Sequence, residues 1–397
     1  MNDDLGLYVH IPFCASKCDY CNFYSVMPNG RIIADYIKAI CTEITFYKGS
    51  HKTVNTIYFG GGTPNILNFK DFARILETIK KVFKVSLQAE ITIEMNPNLV
   101  TNETVQDFRL LGINRASIGV QSFKDRDLAF LRREHNVNEA KEAIKKIGTV
   151  FKNISIDFII GLPGQTAKQY EEAVEIAQNY GVKHISSYLL KVENGTKFYN
   201  KQTLTQLPKD GETANQYEHF VDKMNKYGYE QYEISNFAKT SYESVHNLKY
   251  WQCKEYIGFG TSAHSYFEGR RYYVSGNISN YLKNMQQANQ RLRLKKGALP
   301  PHLQTRETTF STPNDSQIYY TEPCDLFSER VILGLRLNRG VLLKELQEID
   351  GDEYEKFIKR LQTNKELDKF LIKSNDRISL STKGMLISNY IIATLLY

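Results

Sequence analysis

Short apolar runs alternate along this chain with segments whose apolar residues recur every three or four positions. This is the pattern of buried strands separated by amphipathic helices. Leu7-Tyr8-Val9-His10 reads as a first strand. Arg31 to Tyr47 sets Ile33, Ile37, Ile40 and Ile44 at helical spacing, and Thr56 to Phe59 reads as a second strand that runs into Gly60-Gly61-Gly62-Thr63-Pro64. The alternation continues with helix Phe69 to Phe83, strand Ala89 to Met95, helix Asn102 to Leu111 and strand Arg115 to Val120. Helix Asn138 to Ile147, strand Ile154 to Ile160, helix Ala167 to Tyr180 and strand His184 to Leu190 complete six units. Strands and helices of these lengths imply parallel strands joined by right-handed crossovers. The expected fold is therefore α/β, a partial (β/α)6 barrel of the TIM type.

In such a barrel, chemistry gathers at the C-terminal ends of the strands. Polar and glycine-rich residues fall there repeatedly. The first strand leads to a cysteine loop and the second to the glycine run. The third ends at Glu94-Met95-Asn96-Pro97 and the fourth at Gln121-Ser122, while the fifth carries Asp157 and stops at Gly161-Leu162-Pro163.

Beyond the sixth unit the pattern changes. Asn215 to Tyr227 reads as a helix and Glu230 to Ile234 as a short strand. The stretch 290–321 is rich in Arg, Lys, Pro, Thr and Ser and reads as a linker or surface loop, with Arg291, Arg293, Lys295 and Lys296 as a solvated face. From Phe327 onward, two or three helices precede a hairpin, Phe370 to Lys373 and Arg377 to Leu380. A last helix spans Lys383 to Leu396. Helices with a small hairpin suggest a winged-helix-like, mostly helical C-terminal domain. The expected divisions are 1–235, 236–325 and 326–397.

Bulk properties narrow the class. With 42% hydrophobic and 24% charged residues in a chain of 397, the sequence reads as a large globular protein. The formal charge of +7 suits an anionic ligand or a lipid headgroup, but no basic stripe interleaved with aromatics points to nucleic acid. No run reaches the roughly 18 apolar residues of a membrane span. Met1-Asn-Asp-Asp-Leu leads straight into the first strand without a secretory or transit pattern, so the expected location is the cytoplasm.

The stretch richest in chemistry is Cys14-Ala-Ser-Lys-Cys18-Asp-Tyr-Cys21. Three cysteines at this spacing, on one loop, can turn three thiolates toward one point. Three ligands on a four-iron cube leave one iron open, and that iron can bind a small molecule and pass it an electron. Zinc is the rival, with His10 as a fourth ligand, although structural zinc sites usually add a second ligand pair further along. A disulfide framework fits a small secreted chain better than this one. Cys41, Cys253 and Cys324 are scattered and read as ordinary thiols.

Other motifs carry two readings each. The glycine run is either a tight turn or a place where backbone approaches a ligand. Glu94, Gln121, Arg133 and Asp157 are either surface polar residues or hydrogen-bonding groups around a ligand. His246, in His246-Asn-Leu-Lys-Tyr250-Trp251, is either a core histidine with a satisfied hydrogen bond or an axial ligand for haem flanked by flat rings. His264 carries the same ambiguity.

Taken in order, several of these motifs resemble a known family. They are Tyr8-Val-His-Ile-Pro-Phe-Cys14 with Cys18 and Cys21, Gly-Gly-Gly-Thr-Pro, Gly119-Val-Gln121-Ser-Phe, and Asp157-Phe-Ile-Ile-Gly-Leu-Pro163. The set resembles radical SAM proteins of the oxygen-independent coproporphyrinogen III oxidase type, over essentially the whole chain. Within that group it is most similar to the haem-chaperone branch. Asn22 and Phe23 follow Cys21 where the oxidases carry another cysteine, and His246 to Trp251 resembles the HNxxYW signature associated with haem binding.

The resemblance implies a 4Fe-4S cluster on Cys14, Cys18 and Cys21. It implies S-adenosylmethionine (SAM) near Tyr8, Gly61, Gly62, Thr63, Glu94, Gln121, Arg133 and Asp157, and haem at His246. It also implies a homodimer that delivers haem to respiratory proteins at the membrane, by peripheral contact in place of a span. The alternative within the family is an enzyme of porphyrin biosynthesis, a coproporphyrinogen III dehydrogenase that forms protoporphyrinogen by radical chemistry.

Overall fold

The computed structural model describes residues 4–294, 319–322 and 324–397. The chain forms two compact units. One comprises the described residues of Met1–Ser117, Glu142–Phe151 and Lys254–Pro323, and the other Ile118–Lys141, Lys152–Cys253 and Cys324–Tyr397.

All six expected strands are present: β1 (Asp4–Ile11), β2 (Thr53–Gly61), β3 (Lys84–Met95), β4 (Arg115–Gln121), β5 (Asn153–Ile160) and β6 (His184–Leu189). In the first unit β1 pairs in parallel with β2, which pairs in parallel with β3. In the second, β5 pairs in parallel with β6. The helices between them match the apolar periodicity, as in Phe69–Val82, where Asn68 and Asp71 form a reciprocal capping box. Parallel strands covered on both faces bury nearly every side chain. In β1, Leu5, Leu7, Val9 and Ile11 are wholly buried, and His10 is buried with them. The result is an α/β fold with central parallel strands and a mostly helical C-terminal region.

The later chain departs from expectation in three places. The strand read over Glu230 to Ile234 shrinks to β7 (Glu230–Gln231), which pairs with β8 (Asn236–Ala238); the intervening residues turn, with Glu233 bonding its own neighbours. Second, the stretch read as extension and linker contains sheet. β9 (Tyr256–Phe259) pairs in parallel with β1 on the side away from β2, and β10 (His264–Phe267), β11 (Arg270–Val274) and β12 (Tyr319–Glu322) continue antiparallel from it. Of the basic stretch 290–321, the first residues end helix Ile278–Leu294 and the last lie in β12, while 295–318 fall outside the described residues. Third, the last helix divides into Thr382–Leu386 and Ser388–Leu396, because Ile387 leaves helical geometry.

The C-terminal stretch otherwise follows the expected order. Helices Leu326–Gly334, Leu343–Ile349 and Gly351–Thr363 accompany a small sheet of β13 (Val341–Leu342), β14 (Leu371–Lys373) and β15 (Arg377–Leu380). Within its unit this stretch is tied to the turn after β7: Ile234 N–H donates to the Arg336 carbonyl, and Asn338 N–H to that of Tyr232. No helix among the described residues is long and apolar enough to cross a membrane.

A buried polar cluster fixes the end of β1. Tyr36 Oη donates to the His10 carbonyl at 3.0 Å and accepts from Thr261 N–H at 3.0 Å. The buried Glu43 carboxylate accepts from Gly260 N–H at 2.8 Å and from Tyr281 Oη at 2.7 Å. These groups find partners inside because water cannot supply them.

Candidate functional site

The site begins where β1 and β2 end side by side, with His10 in register with Gly60 and Ile11 with Gly61. The chain then leaves β1 into the cysteine loop, which is pinned at its base. Cys14 N–H donates to the Val26 carbonyl and Val26 N–H to that of Pro12. The glycine run holds the loop from the other side: Gly62 N–H donates to the Ile11 carbonyl and Thr63 N–H to that of Phe13, both at 2.8 Å. A β-carbon on Gly62 would lie 2.8 Å from the Phe13 oxygen and 3.0 Å from Cys14 Sγ. Glycine is required there by close approach of the loop, so the tight-turn and ligand-approach readings are joined by a third role.

Cys14, Cys18 and Cys21 are all partly exposed. Burial, and then the presence of Cys18 and Cys14, push the Cys21 thiol above its ordinary range. Cys14 and Cys18 thus oppose the ionisation of Cys21, a cost that a shared cationic group would relieve. Thr63 Oγ1 donates to Cys14 Sγ at 3.6 Å, the kind of outer bond that tunes an iron–sulfur ligand. Among the described residues no three His, Cys, Asp or Glu side chains are placed to hold a single metal ion. The donor set, three thiols on one anchored loop with a hydroxyl on one of them, fits a cluster.

Glu94, at the end of β3, accepts from Tyr58 Oη at 2.8 Å and from Gly61 N–H at 3.0 Å. Tyr8 stacks on Tyr58 with ring centroids 6.1 Å apart, and its hydroxyl meets His10 Nδ1 at 2.9 Å. Burial, followed by the Glu94 charge, holds the Tyr8 phenol protonated well above its usual range. Five of the residues expected around SAM, Tyr8, Gly61, Gly62, Thr63 and Glu94, therefore gather at the strand ends of the first unit.

His10, which the sequence offers only as a rival zinc ligand, organises this corner. Burial lowers its pKa to about 4, so the ring is neutral. Its Nε2 is buried without a hydrogen bond of ordinary geometry. The imidazole lies against Gly61, whose φ is +115°. The sequence places His10 in the first strand, but only the register with β2 shows what it meets.

The remaining candidates belong to the second unit. Gln121 ends β4 with φ +68°, a left-handed conformation uncommon for a side chain of this kind. It lines a small cavity of about 30 Å³ with Asp127, Gln165, Phe158 and Tyr170, room for about one water. The Arg133 guanidinium donates to the Gly119 carbonyl at 3.0 Å, and His135 Nε2 lies 3.1 Å from that of Val120, so both tie their loop to β4. Asp157, partly exposed on β5, stands in register with Ser186. His246 lies in the short helix Val245–Trp251, wholly buried, with Nε2 2.7 Å from Tyr250 Oη. In this respect it is a satisfied core histidine.

Residues 8–195 match the radical SAM superfamily, and the chain is a radical SAM protein. It is similar in fold to coproporphyrinogen III oxidase (HemN) from Escherichia coli, with a TM-score of 0.78 and 19% identity, over 99% of this chain and 90% of that one. By sequence it is 33% identical to the heme chaperone HemW of Bacillus subtilis over 397 residues, 98% of each chain. It is also 33% identical to that of Lactococcus lactis, over 96% of this chain and 94% of the relative. The chain belongs to the HemW family.

Proposed function

We propose that this protein is a haem chaperone that carries a 4Fe-4S cluster on Cys14, Cys18 and Cys21, binds SAM beside it, and holds haem at His246 for transfer. The observation that carries the reading is the end-to-end similarity to a protein named heme chaperone, 98% of both chains. The cluster assignment draws support from the anchored loop and from the hydroxyl of Thr63 on Cys14. When bound and reduced, such a cluster supplies the single electron that cleavage of SAM requires.

The chain's own groups divide the work. Thr63 steadies one ligating sulfur. Glu94, with an anionic carboxylate at the rim, attracts the ammonium group of SAM while orienting Tyr58 and Gly61. Gln121, Arg133 and Asp157 supply further polar contacts. His246 provides the nitrogen for haem iron, with Tyr250 and Trp251 as flat neighbours. The protein works as a homodimer in the cytoplasm, and its recipients are haem-requiring respiratory proteins that it meets at the membrane periphery.

The test is anaerobic reconstitution with iron and sulfide, followed by haem titration and transfer to an apo-cytochrome. About one haem per chain, passed on in a SAM- or cluster-dependent way, is expected. Conversion of coproporphyrinogen III to protoporphyrinogen at a catalytic rate overturns the reading in favour of the dehydrogenase.

A further inference from the structure

The cysteine loop is held again beyond Cys21. Asn22 and Phe23 are exposed, but the Tyr24 ring packs back on the fold. Its hydroxyl oxygen accepts from Ile278 N–H at 3.0 Å, and a β-carbon at Gly276 would lie 3.4 Å from the ring. Ile278 opens helix Ile278–Leu294. Asn277, just before it, takes the Asn280 N–H on its side-chain oxygen at 3.0 Å, which leaves the Ile278 N–H without a partner inside the helix. The Tyr24 phenol supplies that partner. The helix is itself fixed, since Tyr281, one turn on, is wholly buried and donates to Glu43 at 2.7 Å. The Tyr24 backbone meets the corner as well. Burial lowers the His10 pKa and the Tyr24 backbone acts against it, so this carbonyl lies toward the ring, short of a hydrogen bond of ordinary geometry.

We propose that Tyr24 is a positioning residue for the thiol of Cys21, clamping the outgoing half of the cysteine loop to the first turn of helix Ile278–Leu294. The inference rests on the cluster reading given above and adds the anchor that holds its third ligand. Tyr24 stands three positions after Cys21, so the chain between them spans at most about 11 Å. A backbone anchor follows only at Val26, five positions on. Release of the Tyr24 hydroxyl therefore frees the segment 22–25. It lowers the effective concentration of the Cys21 sulfur beside Cys14 and Cys18 and opens that sulfur to solvent. Cys14 is spared, because its own N–H and the Thr63 hydroxyl hold it independently.

Two substitutions cut the same bond from opposite ends. Tyr24→Phe removes the hydroxyl, and Ile278→Pro removes the N–H at a first helical position, where proline is tolerated. In the full chain without iron, the measurement is the rate at which iodoacetamide alkylates Cys21, resolved by peptide mass spectrometry, with Cys41 of the same unit as internal reference. In the reconstituted chain it is the rate of iron loss to a chelator. Each variant should alkylate Cys21 and lose iron about two- to tenfold faster than wild type, the worth of one hydrogen bond, while Cys41 is unchanged. The double variant should go no further than Ile278→Pro, because one bond can be cut only once. Wild-type alkylation of Cys21 in whichever variant folds overturns the clamp. So does equal acceleration at Cys41, which reports general loosening, and so does unchanged iron loss alongside faster alkylation. Faster alkylation of Cys21 in a chain whose wild type binds no iron sustains the clamp and overturns the cluster reading.

Discussion

The His10 imidazole lies flat enough against Gly61 that a β-carbon at position 61 would fall 2.5 Å from its Cε1. With φ at +115°, position 61 is also in a region that only glycine enters without strain. Gly61→Ala is therefore expected to destabilise the protein by about 1–3 kcal/mol, and by more if His10 cannot shift. Thermal melting checks the first effect. Iron content after reconstitution should fall as well, because the displaced strand end carries the cysteine loop.

Acid should loosen the same corner. The folded protein holds His10 near 4, below the 6.5 of an unfolded histidine. Between those values the unfolded chain takes up a proton that the folded one refuses, so stability is complete above pH 6.5 and declines as pH falls toward 4. The loss approaches about 3 kcal/mol at the lower end. His135, also held at about 4 by burial and then by Arg133, acts in the same window and sense. Melting temperatures of His10→Gln and wild type at pH 5 and pH 7.5 should show a shallower decline in the variant.

Glu233 gives the opposite sign. Burial raises its carboxyl to about 7 against 4.5 when unfolded, despite the hydrogen bond from Ser235 N–H. The unfolded state gives up this proton first, so stability is lost as pH rises from 4.5 to 7 and stays lost above. Glu233→Gln is expected to melt higher than wild type at pH 8, with the gap closing near pH 4.5. Equal melting points at pH 8 would show that the carboxylate is solvated in the folded chain.

Thr63→Val removes the hydroxyl on Cys14 Sγ without changing the shape of the side chain. Cluster content should persist, while the reduction potential moves to more negative values, since hydrogen bonds to ligating sulfur stabilise the reduced form. Redox titration followed by electron paramagnetic resonance measures this directly.

Glu94→Ala leaves the Tyr58 hydroxyl and Gly61 N–H without their carboxylate. SAM affinity should weaken by about tenfold or more, the worth of one charged hydrogen bond. Calorimetric titration of the reconstituted protein is the check, with cluster absorbance as the control for folding.

Much of this was legible before any coordinates. The six strands announced themselves because parallel strands buried on both faces are continuous apolar runs, as in Ile154 to Ile160. The cysteine loop and glycine run were visible as motifs. What a linear pattern could not carry was pairing. β9 to β11 are short and aromatic-rich, without the helix between strands that marks a parallel unit, and only their pairing beyond β1 makes them sheet. His10 and Gly61 are 51 positions apart in sequence, and nothing local to either predicts the other. Glu233 looked like an ordinary strand residue until its burial in the turn after β7 was seen. His246 shows the reverse case, in which a conspicuous motif was found with its nitrogen already engaged.

The two backbone bonds from Gly62 and Thr63 to the residues before Cys14 impose a timetable on assembly. The bonds between Cys14, Val26 and Pro12 close the base of the sulfur-bearing stretch by themselves, but these two form only when the second strand has docked beside it. On the proposed cluster reading, the loop would be held on both sides only once the second strand is in place, so iron content after reconstitution would depend on strand pairing as well as on the three thiols.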